Sequence, residues 1–420
     1  MQQRNRLLAW IAILSISLGP RVQADAALPR VALPDAGLQP AAIGVVVNDR
    51  DPLSERIAQY YLEKHGIPPA NLLHVDFNPA ATRISAAEFA QGTAAYRAAL
   101  SAKVRGLALA WTQPYQVGCM SITSAFSVGY DEQYCASGCQ PTALNNYARS
   151  NRLDPLAGFG IRPSMMLAAA TFADARALID RGAASRGWYY RQAQPSAAAW
   201  LVETSDQARS VRKAFYREAA QRFGRQLEVH VEKTDTVEHQ RNIMFYFTGA
   251  RTVPGIASND YLPGAVADHL TSTGGKLTGG RQMSAMDWLE AGATGSYGTV
   301  VEPCNFPAKF PHPARLMEQY LGGRTLLEAY WKSVLSPGQG VFIGDPLAAP
   351  FQGYRIGVGD KGLELHSSQL LRGNYRLQGA NQAEGPYRTV GDVVRVSGSP
   401  QVIALPEPHF DFYRLTPLAL

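Results

Sequence analysis

Residues 264–313, GAVADHLTSTGGKLTGGRQMSAMDWLEAGATGSYGTVVEPCNFPAKFPHP, decide how the chain is read. Two short apolar runs, 264–270 and 298–301, each stop at a polar turn rich in Gly or Pro, with a helix-like segment between them. Strand, helix, strand in that order is the mark of an α/β layered fold. In parallel sheets of this kind, ligands sit in the crevice beyond the carboxyl ends of the strands. The two exits, Thr271-Ser272-Thr273-Gly274 and Glu302-Pro303-Cys304-Asn305, are therefore where function is sought first.

The same alternation extends outward over about residues 40–350. Residues 42–47 are apolar and β-branched, as expected of a strand buried on both faces. They lead into Asn48-Asp49-Arg50-Asp51-Pro52 and a helix carrying Leu53, Ile57, Tyr60 and Tyr61, which Gly66 and Pro68 close. Further strands are expected at 72–77, 104–112, 165–170, 198–203, 227–231 and 243–247, with helices at 86–102 and at 172–181, the latter stopped by Gly182. Thr204-Ser205-Asp206 is read as an N-cap for a helix bearing Ala208, Val211 and Phe215. Its basic residues Arg209, Arg212, Lys213 and Arg217 read as a solvated face. A loop-rich insertion at about 113–162 holds three of the four cysteines.

After Gly344-Asp345-Pro346 the helical period disappears, and short alternating segments follow between Gly, Pro, Ser and Asn. The expected fold class is an α/β layered sandwich with a mostly parallel central sheet over residues 25–355, plus a small all-β C-terminal domain at 356–420.

Arg4 and Arg6, an apolar stretch over 7–18, and Val22-Gln23-Ala24 form a secretory signal cut after Ala24. The stretch is short for a membrane span, which takes about 20 apolar residues. A secreted or periplasmic protein with no transmembrane segment is expected. Without residues 1–24 the balance is 37 basic against 34 acidic side chains, too mild to imply nucleic acid. Cys119, Cys135, Cys139 and Cys304 in an oxidising compartment read as two disulfides, with all three pairings open. The Cys135-x-x-x-Cys139 spacing lacks a second half for a metal, and no metal is expected.

Several chemistries have no motif here. GxGxxG does not follow the first strand, and neither HExxH nor GxSxG occurs, so no cofactor is expected. Cys304 is a candidate nucleophile if His269 or His312 approaches it, because a thiol needs a base or a positive field to ionise. The simpler reading, favoured by export and the even cysteine count, is that Cys304 is half of a structural disulfide. The crevice is expected to gather Asn48, Asp49 and Asp51 from the first strand, with Thr248, Gly249, Ser272, Gly274 and Glu302 from the later ones. Carboxylates at strand ends also cap helices, and Asp345 reads as a turn residue.

Val45-Val46-Val47-Asn48-Asp49, Ile57-Ala58-Gln59-Tyr60-Tyr61, Gly66-Ile67-Pro68, residues 264–313 and Phe342-Ile343-Gly344-Asp345-Pro346 together resemble a family of exported bacterial proteins to which no activity is assigned. The late elements distantly resemble the gingipain branch of the caspase-like cysteine peptidases. That branch carries His-Gly after one strand, Cys-Gly after the next, and a late Gly-Asp-Pro. Gly344-Asp345-Pro346 is kept. Thr248-Gly249 stands at the His-Gly position, and Thr271-Ser272-Thr273-Gly274 at the cysteine position. The resemblance implies a peptidase-like fold without its dyad, binding a peptide, a glycan or an envelope component. The alternatives are a hydrolase with a displaced site around Cys304, and a structural surface component.

Overall fold

The computed structural model describes residues 28–418 apart from 36, 137, 153, 194, 361, 398, 399 and 408. The export signal expected over residues 1–24 lies outside the described residues. Ten strands form one large sheet: β1 Ile43–Asn48, β2 Leu72–Val75, β3 Gly106–Leu109, β4 Ser164–Met166, β5 Ala198–Glu203, β6 Glu228–Lys233, β7 Ile243–Thr248, β8 Tyr261–His269, β9 Gly295–Thr299 and β10 Gly340–Gly344. Their order across the sheet is β6-β5-β7-β8-β9-β10-β4-β3-β1-β2. The helices that matter below are α1 Pro52–His65, α2 Ile122–Val128, α3 Phe172–Ser185, α4 Tyr216–Phe223, α5 Met286–Glu290, α6 Pro313–Leu321 and α7 Leu326–Ser333.

Successive side chains of a strand point to opposite faces, and here both faces are dry. Val45 and Val47 of β1 join one apolar cluster with Ile57, Ala58 and Tyr61 of α1 and with α6 and α7. Val46, between them, joins another with Phe126 of α2, Met286 and Leu289. The continuous apolar run of β1 follows from this double burial. Each such side chain contributes about 1.5–3 kcal/mol on leaving water.

Every neighbouring pair in the sheet is parallel except β9 and β10, which run antiparallel with Gly295 opposite Gly344 and Thr299 opposite Gly340. This reversal corrects the expected single crevice. The strands from β6 to β9 point one way and those from β10 to β2 the other. Asn48, Asp49 and Asp51 therefore leave the sheet at one end of the strands, and Thr248, Gly249, Ser272, Gly274 and Glu302 at the other.

Three local expectations also change. Helix α3 runs through Gly182 to Ser185. That glycine is there for a close approach, since a Cβ at 182 would collide with the Asp345 carboxylate. The expected helix at 86–102 is broken into Ala86–Gly92 and Ala94–Ala99, with the Thr93 hydroxyl donating to the Phe89 carbonyl at 2.6 Å. Residues Ser210–Phe215 form a 3-10 turn ahead of α4, and the Asp206 carboxylate accepts from the Arg209 N–H at its entry, at 3.2 Å. Arg212 in that turn is buried, not solvated.

The C-terminal stretch is all β. Arg355–Gly359, Gly362–Ser367 and Gln401–Ala404 make one three-stranded sheet, while Gly373–Ala380 pairs with Arg388–Thr389, Val394–Val396 and Phe412–Pro417. Arg30–Ala32 adds to Phe412–Pro417 in parallel, so the start of the described chain belongs to this sheet and not to the large one. Val31, Leu365, Tyr375, Leu377, Tyr413 and Leu415 share a core of their own.

Two disulfides link the four cysteines, Cys119–Cys135 within the insertion and Cys139–Cys304 between the insertion and the exit of β9. Among the described residues no helix is long and apolar enough to cross a membrane.

Candidate functional site

The exits of β7, β8 and β9 lie side by side. Thr248 is in register with His269, and the Thr299 hydroxyl at the end of β9 lies 3.2 Å from the Thr271 carbonyl and donates to that of Ser272 at 3.0 Å. Two glycine contacts keep the exit tight. A Cβ at Gly249 would collide with the Arg209 carbonyl, and one at Gly298 with the backbone of Gly274. The Gly275 N–H is used by the Thr299 carbonyl at 3.0 Å, so this Gly-Gly turn packs on β9 and does not line an open hole.

The hydroxyl of Thr271, the first residue of the stretch Thr271-Ser272-Thr273-Gly274, is clamped from two sides. Arg209 Nε donates to it at 3.1 Å, and it donates to Gln282 Oε1 at 2.9 Å. Gln282 Oε1 also accepts from the Thr273 backbone N–H at 2.8 Å and from its hydroxyl at 3.1 Å. Arg209 is held by Asp206 at 2.8 Å. A nucleophile needs a base positioned to take its proton, and the Thr271 hydroxyl has an amide oxygen there instead.

His269 cannot act as that base. Its Nδ1 accepts from Trp288 Nε1 at 2.9 Å, and its Nε2–H donates to the Met283 carbonyl at 3.1 Å. Burial pushes the imidazole down to about 4, which keeps it neutral near pH 7. His312 lies elsewhere, ahead of α6, with its ring against Phe215 at a centroid distance of 4.0 Å. Among the described residues no hydrogen bond links either histidine to Cys304.

Cys304 itself is bonded to Cys139, so the nucleophile expectation is corrected: the sulfur carries no thiol to ionise. Cys304 and Asn305 take left-handed backbone angles, with φ of 56° and 55°. The Glu302 carboxylate accepts from the Cys304 N–H at 2.9 Å, and the Glu302 carbonyl from Gln339 Nε2 at 3.1 Å. Glu302 thus closes a disulfide-held turn.

Beneath the exit lies a charge that sequence reasoning missed. Arg212 and Asp268 pair at 2.5 Å with 1% of each side chain exposed. The same guanidinium donates to the Thr248 carbonyl at 2.6 Å and approaches the Pro311 carbonyl at 3.4 Å, stitching β7 and β8 to the segment before α6. Burial pushes the Asp268 carboxyl up and the Arg212 charge opposes it. No local signal marks it: Arg212 stands among Arg209, Lys213 and Arg217, and Ala208, one turn before it, is exposed.

At the other end of the strands the remaining candidates serve structure. Asn48 exchanges two hydrogen bonds with the Phe77 backbone, at 3.0 and 3.2 Å. Asp49 pairs with His74 at 2.7 Å on the surface. Asp51 caps α1 through the Leu53 N–H at 2.9 Å. Asp345 turns the chain after β10 by accepting from the Leu347 N–H at 2.9 Å, and also binds Tyr61 at 3.0 Å and His65 at 2.8 Å. Its reach to α1 was not legible from Gly344-Asp345-Pro346.

No family model matches the sequence, and no curated protein matches it. Among solved structures, one described as "Structure of Protease" is similar at 10% identity and a TM-score of 0.46, over 88% of this chain and 98% of that one. A complex of the Porphyromonas gingivalis RgpB pro- and mature domains is similar at 8% identity and a TM-score of 0.39, over 89% of this chain and 98% of that one. Likenesses at this level carry no argument about the chemistry of the exits.

Proposed function

We propose that this chain is an exported binding protein with a caspase- or gingipain-like α/β body, an all-β appendage over about residues 356–420, and no peptidase activity. Its partner is a peptide, a glycan or an envelope component. The observation that carries the reading is the closed exit of β8: in the stretch where the resemblance would put a cysteine, the Thr271 hydroxyl is clamped between the Arg209 guanidinium and the Gln282 amide, and the Thr273 hydroxyl beside Gly274 donates to the same amide oxygen. The bonded sulfur of Cys304 and the doubly engaged ring of His269 support it. Two disulfides favour an oxidising compartment and so favour export.

The test is to incubate the mature chain with a proteome-derived peptide library and, in parallel, to probe peptide and glycan arrays with it. The expected result is an uncleaved library together with saturable binding to one class of array. Cleavage at defined positions would overturn the reading.

A further inference from the structure

A basic cleft of about 400 Å³ is walled by the insertion segment 148–151, α4, α6 and Lys332 of α7. Its floor is built. Lys332 is buried, with Nζ donating to the carbonyls of Tyr147, Ser150 and Arg152 at 2.9, 2.8 and 2.7 Å. The ammonium also sits 3.8 Å over the Tyr147 ring. A buried charge persists only when its hydrogen bonds are satisfied, and these three carbonyls satisfy all three N–H bonds. They also pin segment 147–152, which fixes Arg149 and Asn151 on the cleft wall.

The charges facing the cleft do not cancel. Arg222 is neutralised by Glu218 at 3.1 Å and by Glu318. Arg149 and Arg315 line the same cleft, and among the described residues neither has a carboxylate within ion-pair distance. His312 Nδ1, at the edge of the cleft, is buried without a hydrogen-bond partner. Four cations face two carboxylates, an excess of two positive charges. Two unpaired guanidinium forks, which match oxyanions bidentately, and the amides of Asn151 and Gln319 supply donors on several sides.

We propose that this cleft is a binding subsite for a phosphate dianion, either free or carried on a sugar, with Arg149 and Arg315 as the recognising forks. The proposal deepens the binding role above and rests on it. Its geometry is independent of Thr271, so the two can fail separately.

Isothermal titration calorimetry of the mature, oxidised chain at low ionic strength tests it, with inorganic phosphate, a hexose 6-phosphate and acetate as titrants. Saturable one-to-one binding of phosphate is expected, weakened about tenfold by Arg149→Ala or Arg315→Ala and more by the double variant, with acetate much weaker. Arg149 is exposed and Arg315 half-buried, and circular dichroism of each variant checks that it keeps the parent fold. Tighter binding of the hexose phosphate assigns the source to a glycan, and equal binding assigns it to the free ion. No saturable heat, or a double variant that binds as the parent does, overturns the subsite. Peptide cleavage in the separate assay overturns the binding role and leaves the calorimetry to stand by itself.

Discussion

The two ends of the large sheet handle the same problem differently. At the exit of β1 the polar side chains close turns and cap helices: Asn48 on Phe77, Asp51 on α1, Asp49 on His74. Each acts within its own stretch of chain or with the neighbouring strand. At the exits of β7, β8 and β9 a buried ion pair, a threonine clamp and a disulfide tie together residues more than 50 positions apart, such as Arg212 with Asp268 and Cys139 with Cys304. The comparison teaches that polarity at a strand exit is not by itself a sign of chemistry. The links at the exit of β1 are local caps, whereas those at the exits of β7, β8 and β9 are long-range and engage the Cys304 sulfur and the Thr271 hydroxyl.

The difference can be broken most severely at Arg212. Removing one partner of a buried pair leaves the other charge unpaired, so Arg212→Ala is expected to cost about 4 kcal/mol in urea unfolding. A cost within experimental error would show that the pair is not a fastener of that end. Next comes the long disulfide. Changing Cys139 and Cys304 together to Ser frees a link between residues 165 positions apart, and a loss of about 3 kcal/mol is expected. A thermal midpoint equal to that of the parent would count against it.

His269 sharpens the comparison through pH. Its folded value of about 4 lies below the ordinary imidazole value of 6.5, so the unfolded chain takes up the proton first. Stability is then fully present above pH 6.5 and falls as the pH drops toward 4, by up to about 3 kcal/mol. His269→Gln should flatten that part of the stability profile, and an unchanged slope would place the titration elsewhere. The smallest effect belongs to the other end: Asp51→Ala removes one helix cap and should cost about 1 kcal/mol.

Much of the fold was legible because it is written in local patterns. The run 198–203 is strand β5 as expected, and the Asp51-Pro52 start and Gly66 stop of α1 are ordinary cap signals that held. The short alternating segments after residue 355 are strands. The reversal between β9 and β10 was not legible, since nothing in a buried strand's composition says which way its neighbour runs. Nor was the pairing of Arg30–Ala32 with the last strand, a contact across almost the whole chain. At the site, the absence of a His-Gly and a Cys-Gly was readable directly. The burial of Arg212, the partner of Cys304 and the clamp on Thr271 were not, because each depends on a residue distant in sequence.

The central claim is that the exits carry no ionisable nucleophile. Intact-mass analysis of the mature, folded chain after iodoacetamide treatment, with and without prior reduction, tests it most directly. The account predicts no label before reduction and four labels after it, one for each cysteine. Rapid labelling of Cys304 at neutral pH in the unreduced protein would contradict it.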